Sequence, residues 1–235
     1  MKALLFAAGK GNRMRPLTDH TPKPLLRVAD KRLIERHLER LVAIGVQDVV
    51  INIAWLAEQF PAALGDGSHW GLRLHYSREG DEPLETGGGM LHALQWLGNE
   101  PFFVANGDVY CDMDLSTLPR VPQGLAHLVM VDNPPQHPHG DFAITADGLL
   151  SDAASTLPRL TYAGIGVYRP QLLDHWRDIV GATANTTATP PRFPLLPLLQ
   201  HAMRAGQVTG QHYRGIWVDV GTPQRLAELD QQLRA

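Results

Sequence analysis

Four cations, Lys10, Arg13, Arg15 and Lys23, gather around Gly9 and Gly11 near the start of the chain. They lie in Ala7-Ala-Gly-Lys-Gly-Asn-Arg-Met-Arg-Pro-Leu-Thr18 and the following Thr21-Pro-Lys-Pro-Leu25. A glycine-rich loop lets backbone N–H groups approach a phosphate closely, and the flanking cations suit a polyphosphate whose charge must be neutralised. Two familiar phosphate loops are excluded. A Walker A loop needs Gly-Lys followed by Ser or Thr, and the dinucleotide fingerprint needs a third glycine where Met14 stands.

Two aspartates have the character of metal ligands. Phe102-Phe-Val-Ala-Asn-Gly-Asp108 ends an apolar run in a carboxylate, a hard oxygen ligand suited to Mg²⁺. In Gly215-Ile-Trp-Val-Asp-Val-Gly-Thr-Pro223, Asp219 alternates with Trp217 just ahead of a Gly-Thr-Pro helix start. Taken singly, each reads equally well as a turn or capping residue, and spacing alone does not pair them. Glu85-Thr-Gly-Gly-Gly89 opens a helical stretch where the backbone could approach a flat group. His37 and His92 fall on expected helices as packing residues, while His137 and His139 flank a proline without further metal ligands in view.

The elements that must position these residues repeat as strand, loop and helix. Apolar runs at residues 3–6, 49–53 and 102–105, and the alternating residues 72–76, read as strands. Residues 31–44, 54–64 and 87–97 read as helices, with Gly45 where a cap would sit. This pattern predicts a mainly parallel sheet covered on both faces, with ligands beyond the carboxyl ends of its strands. Later, residues 125–131 and 162–168 read as strands, and residues 194–205 and 223–234 as helices. The proline-rich residues 133–139 are irregular, and residues 181–192 form a mobile loop. No repeat or linker divides the chain, so residues 1–235 are expected to form one domain.

Composition narrows the class. With 235 residues, 44% of them apolar, the chain can bury a core without disulfides or a structural metal. Its single cysteine, Cys111, fits a reducing compartment. No apolar stretch approaches a membrane span, and residues 3–8 are too short for a signal peptide core, so a soluble, cytoplasmic protein is expected. The net charge of −3 argues against nucleic acid as a partner. It conceals a basic start, because all four lysines fall within the first 31 residues.

Residues 5–25 closely resemble the signature of the sugar-1-phosphate nucleotidyltransferases, the nucleoside-diphosphate-sugar pyrophosphorylases. Glu85-Thr-Gly-Gly-Gly89, Asn106-Gly-Asp108 and Trp217-Val-Asp-Val-Gly-Thr222 follow in the family's order. The resemblance implies a Rossmann-like α/β three-layer sandwich with a mainly parallel mixed sheet, of the glycosyltransferase-A-like type, here without a β-helix extension. It implies UTP and a sugar 1-phosphate as partners, Mg²⁺ as cofactor, and a monomer or small homo-oligomer. Ala8, Gly9, Gly11, Asn12 and Arg13 would hold the nucleotide phosphates, and Arg13 and Lys23 would act at the reacting centre. Asp108 and Asp219 would hold the metal. Glu82, Glu85 and Gly88 would lie near the base. Asn106, Asp141, Thr161 and Gly164 would face the sugar.

Within the family the chain is most similar to short uridylyltransferases of cell-wall recycling, whose acceptor is N-acetylmuramate 1-phosphate. That likeness rests on Glu85 to Gly89, Val131-Asp-Asn-Pro134, Gly140-Asp-Phe142 and Gln211-His-Tyr-Arg-Gly215. Glucose or mannose 1-phosphate, phosphocholine with CTP, or a catalytically idle nucleotide-sugar sensor remain as alternatives. One departure stands out. Several relatives bind the acceptor phosphate with a mid-chain Glu-Lys-Pro lysine, and here no lysine follows Lys31. The acceptor phosphate is then expected to be held by the metal, by Lys23 or by an arginine, and Arg192 is placed over the acceptor's carboxylate, with Arg159 and Arg214 as other candidates.

Overall fold

The computed structural model describes residues 1–153, 157–183 and 185–234. In chain order the strands are β1 (Lys2–Phe6), β2 (Arg27–Val28), β3 (Lys31–Arg32), β4 (Asp48–Ile53), β5 (Arg73–Arg78), β6 (Phe102–Asn106) and β7 (Val109–Cys111). They continue with β8 (Ala126–Val131), β9 (Phe142–Ile144), β10 (Leu150–Ser151), β11 (Arg159–Tyr168), β12 (Val208–Tyr213) and β13 (Trp217–Asp219). The helices are α1 (Leu33–Ala43), α2 (Gln59–Leu64), α3 (Glu85–Leu97), α4 (Trp176–Val180), α5 (Leu196–Arg204) and α6 (Pro223–Arg234).

Alternation along the central strands builds two cores. Ala3 and Leu5 of β1 and Ile51 of β4 pack with Ile34 and Leu38 of α1 and Phe60 of α2 on one face. Leu4, Val50 and Val104 pack with Met90 of α3 and Leu198 of α5 on the other. Because both faces are buried, the strands read as continuous apolar runs. The nine-stranded sheet runs β10-β9-β11-β6-β1-β4-β5, with β8 and β12 beyond β11. β1 is parallel to β4 and β6, and β4 to β5, whereas β11 is antiparallel to β6 and β8. The architecture is the expected three-layer α/β sandwich.

Local differences have local causes. The helix expected over residues 54–64 begins only at Gln59, after turns in which Leu56 has φ 50°. The helix expected from Gly87 starts at Glu85. Short strands β7, β9, β10 and β13 exist through their pairing partners, which residue periodicity does not reveal. Residues 181–192, expected as a mobile loop, are irregular yet internally bonded, with Thr186 buried and the Arg192 N–H donating to the Asn185 carbonyl at 3.0 Å. Ala184 in that loop lies outside the described residues. Among the described residues, no helix is long and apolar enough to cross a membrane.

The glycine-rich loop leaves the carboxyl end of β1 and is tied down at several points. The Ala7 N–H donates to Asn52 Oδ1 at 2.6 Å, and the Thr18 hydroxyl donates to the Gly11 carbonyl at 2.8 Å. Gly11 takes φ 65°, a left-handed turn that favours glycine. Met14, where a dinucleotide loop would have glycine, is fully buried with Leu33, Val220 and Leu229. Helix α6 therefore underlies the loop and joins the end of the chain to its start.

Candidate active site

Strand β6 carries the chain to Asn106, and Asp108 follows two residues beyond, after Gly107. Strand β13 pairs antiparallel with β7 so that Asp219 stands opposite Val109, and the Val220 N–H donates to the Asp108 carbonyl at 3.1 Å. These backbone bonds bring two distant carboxylates to one cleft of about 390 Å³, which Arg13, Asn106, Thr161 and Gly164 also line. Asp108 is ion-paired with Lys23. Asp219 Oδ2 lies 3.0 Å from Arg225 Nη1. Arg13 makes no hydrogen bond or ion pair among the described residues, so it is available to an anion.

This donor set fits Mg²⁺. Both ligands are hard oxygens, and Mg²⁺ characteristically takes one or two carboxylates and completes its octahedron with water and substrate phosphates. Among the described residues no cluster of three or more His, Cys, Asp or Glu side chains forms an all-protein cage.

A second hollow, of about 240 Å³, lies between the phosphate loop and the start of α3, lined by Ala8, Gly9, Pro83, Glu85, Thr86 and Asn106. Asn12 opens the turn after Gly11. Glu82 reaches across to Lys10 at 2.7 Å. A buried relay braces the two sides. The Asn52 amide that accepts from Ala7 donates to Glu79 Oε1 at 2.6 Å, and Glu79 Oε2 accepts the Leu84 N–H at 2.7 Å. Burial pushes the Glu79 carboxyl upward, while these two donors oppose the shift.

Two expected residues stand elsewhere. Gly88 is turned onto the protein, with its N–H donating to the Phe193 carbonyl at 3.0 Å and a Cβ there falling 2.5 Å from the Pro191 carbonyl oxygen. Its missing side chain makes room for the 191–193 segment. Arg192 rides on that segment, and its Nε lies 3.3 Å from Glu85 Oε1. It thus joins the Glu85 side of the site and is not among the residues lining the hollows beside Asp141 or Asp108. Backbone bonds between Phe193 and the start of α3 fix where residue 192 can reach. Arg159 is likewise committed, to the Asp141 and Asp152 carbonyls.

Asn106 borders every one of these hollows around the strand ends. Gly164, at φ 72°, leaves the space that the Asn106 amide occupies. Thr161 is buried and donates to Asn133 Oδ1 at 2.9 Å. Asp141 accepts the Tyr162 N–H at 2.8 Å and lies 3.0 Å from His137 Nε2. Sequence reasoning did not single out Asn52, Glu79, Thr86 or Arg225. Asn52 did carry a signal, as the lone polar residue within the apolar run 49–53.

The nucleotidyl transferase family model matches residues 2–147. The N-acetylmuramate alpha-1-phosphate uridylyltransferase of Neisseria meningitidis serogroup B is 46% identical over 233 residues, covering 97% of this chain and 96% of that protein. The protein of the same name from Caulobacter vibrioides is 36% identical over 245 residues, covering 98% and 96%. A putative glucose-1-phosphate thymidylyltransferase from Bacillus anthracis, crystallised in complex with a sucrose, shares the fold with a TM-score of 0.82, at 17% identity and over 100% of this chain and 95% of that one. The chain belongs to the nucleotidyl transferase family and is an enzyme of the sugar-1-phosphate nucleotidyltransferase type.

Proposed function

We propose that the protein transfers UMP from UTP to N-acetylmuramate α-1-phosphate, giving UDP-N-acetylmuramate and pyrophosphate, with Mg²⁺ as cofactor. It would do so in the cytoplasm, in cell-wall recycling, as one domain of residues 1–235. The observation that carries the reaction class is the meeting of Asp108 and Asp219 in one cleft with the unpaired Arg13. Uracil and muramate rest on the full-length likeness to the two uridylyltransferases.

The chemistry asks little of the chain beyond placement and charge. An acceptor phosphate oxygen attacks the α-phosphorus, the bond from that phosphorus to the bridging oxygen breaks, and pyrophosphate leaves. The nucleophile is already an anion, so no general base or covalent intermediate is required. Backbone N–H groups of the Gly9–Arg13 loop and the Arg13 guanidinium would take up the charge that builds on the leaving group. Lys23 would exchange Asp108 for the phosphates at the reacting centre. Mg²⁺ held by Asp108 and Asp219 would neutralise the repulsion between the two phosphates.

Pyrophosphate release measured for UTP, CTP, GTP and dTTP against each acceptor tests the reading. The expected outcome is release with UTP and N-acetylmuramate 1-phosphate, dependent on Mg²⁺. A preference for mannose or glucose 1-phosphate, or for phosphocholine with CTP, would overturn the acceptor assignment. No release with any acceptor would point to a nucleotide-sugar sensor.

A further inference from the structure

One buried carboxylate is left unused by the phosphoryl chemistry. Glu79, just past the end of β5, is 5% exposed and makes no ion pair among the described residues. Burying an uncompensated charge is costly, so its acidity calls for a reason. The reason lies in the two donors it joins. Oε1 accepts from Asn52 Nδ2 at 2.6 Å and Oε2 from the Leu84 N–H at 2.7 Å, while Asn52 Oδ1 accepts the Ala7 N–H at 2.6 Å. A side chain of this length that accepts on both terminal atoms must be a carboxylate, because a glutamine turns a donor toward one of the two. Gly89 makes the room. A Cβ there would fall 2.5 Å from Glu79 Oε1 and 2.8 Å from Asn52 Nδ2.

These bonds run from one wall of the 240 Å³ hollow to the other. Ala7 leads directly into Ala8 and Gly9, which line it on the side of the glycine-rich loop. The Leu84 bond closes residues 79–84 into a loop that carries Glu82 and Pro83 and passes the chain to Glu85 at the start of α3. Asn52 and Glu79 line the hollow themselves. The separation of Gly9 from Glu85 is thus set by three hydrogen bonds in series. All three are removed from water, where such bonds hold a geometry most firmly.

We infer that Asn52 and Glu79 are positioning residues for the nucleotide. They act through the backbone segments they join, holding the glycine-rich loop and residues 79–85 at the separation a bound nucleoside triphosphate requires. The inference rests on the proposed reaction in taking UTP as the ligand of this hollow. It adds the polarity of the relay, from the Ala7 and Leu84 donors inward to one carboxylate, as the property on which UTP affinity depends.

The test exchanges that polarity. Glu79→Gln turns a donor onto either Asn52 Nδ2 or the Leu84 N–H, and Asn52→Asp sets two acceptors face to face. The two substitutions together restore every bond. The new carboxylate accepts from Ala7 and from the new amide, whose oxygen accepts from Leu84. UTP affinity with Mg²⁺ is measured by calorimetry, and KM for UTP and for the acceptor from steady-state rates, well below each variant's Tm. Each single substitution is expected to raise Kd and KM for UTP about tenfold, with KM for the acceptor within about twofold; the pair should return UTP affinity to within about twofold of wild type. Should a single variant not fold, a double variant that folds and binds UTP like the wild type supports the relay. A carboxylate that contacted the nucleotide directly would lose that contact on moving to position 52, so a double variant as weak as Glu79→Gln would overturn the inference. So would a lowered Tm with unchanged UTP affinity in the single variants, or a double variant that fails to fold. A wild-type protein that does not bind UTP would overturn the proposed reaction itself, an outcome distinct from UTP binding that ignores the relay.

Discussion

The backbone N–H of Val220 donates to the carbonyl of Asp108 at 3.1 Å, so the two aspartates of the cleft are set side by side by main-chain bonds. The register of β13 on β7 extends the same lock. The spacing of their backbones is therefore set independently of side-chain rotamers. Asp108→Asn is expected to lower turnover at least about a hundredfold, the scale of losing a preorganised electrostatic group. Asp219→Asn should behave alike. Steady-state rates at saturating UTP and Mg²⁺ decide it, and near-normal turnover in Asp108→Asn would refute the metal role.

Arg225 orients Asp219. Its guanidinium holds Oδ2 at 3.0 Å, which leaves Oδ1 for a ligand, and a Cβ on Gly221 would collide with it. Groups that orient a metal ligand commonly matter about 10–100-fold in metal affinity. Arg225→Gln should raise the Mg²⁺ concentration for half-maximal rate by roughly tenfold, with KM for the acceptor little changed. Mn²⁺ binding followed by electron paramagnetic resonance should weaken in parallel. Unaltered Mn²⁺ affinity would leave Arg225 a structural residue only.

Glu85 has φ 62°, an uncommon conformation for a residue with a side chain, and it lines the hollow beside the phosphate loop. Strain retained at such a position suggests a use for the carboxylate, which Arg192 steadies. Glu85→Gly should stabilise the fold by about 1 kcal/mol and raise Tm by about 2–4 °C. It should also raise KM for UTP. Arg192→Ala should raise KM for UTP while sparing acceptor selectivity. Altered acceptor selectivity in Arg192→Ala would restore the acceptor role that its position argues against.

His37, on α1 behind the strand that leads to Asp108, is buried, and its Nε2 has no hydrogen-bond partner. Burial pushes its pKa down to about 4. The unfolded chain takes up this proton near pH 6.5, the folded chain only near pH 4. The stabilisation is therefore complete above pH 6.5 and is lost as the pH falls toward 4, on the order of 3 kcal/mol at most. Urea unfolding of wild type and His37→Leu at several pH values checks this. The stability difference between them should shift in favour of His37→Leu across that window, and a difference independent of pH would contradict it.

Much of the site was legible because its signals are local. An apolar run ending in Ala7-Ala-Gly-Lys-Gly11 reads as a buried strand feeding a tight loop, and the cations around it suit an anion. Residues 102–108 say the same of a carboxylate. Such motifs need only neighbours in the chain, and so does the alternation that predicts covered strands.

What needed the folded chain depends on contacts between distant segments. Nothing local pairs Asp108 with Asp219, because their meeting is decided by the β7–β13 register and the Val220 bond. Gly88 resembled a seat for a base, yet the 191–193 segment fills the room its side chain would take. Arg192 is a cation in a late loop, and backbone bonds between Phe193 and α3 set it beside Glu85. The apolar hollow beside Asn106 exists only where α5, β6 and β9 come together. The sequence by itself determined the strand-and-loop grammar, the family and the charges gathered at the glycine-rich loop. The tertiary structure alone decided which of those charges share a cleft, since hydrogen bonds across the sheet join residues that periodicity treats as unrelated.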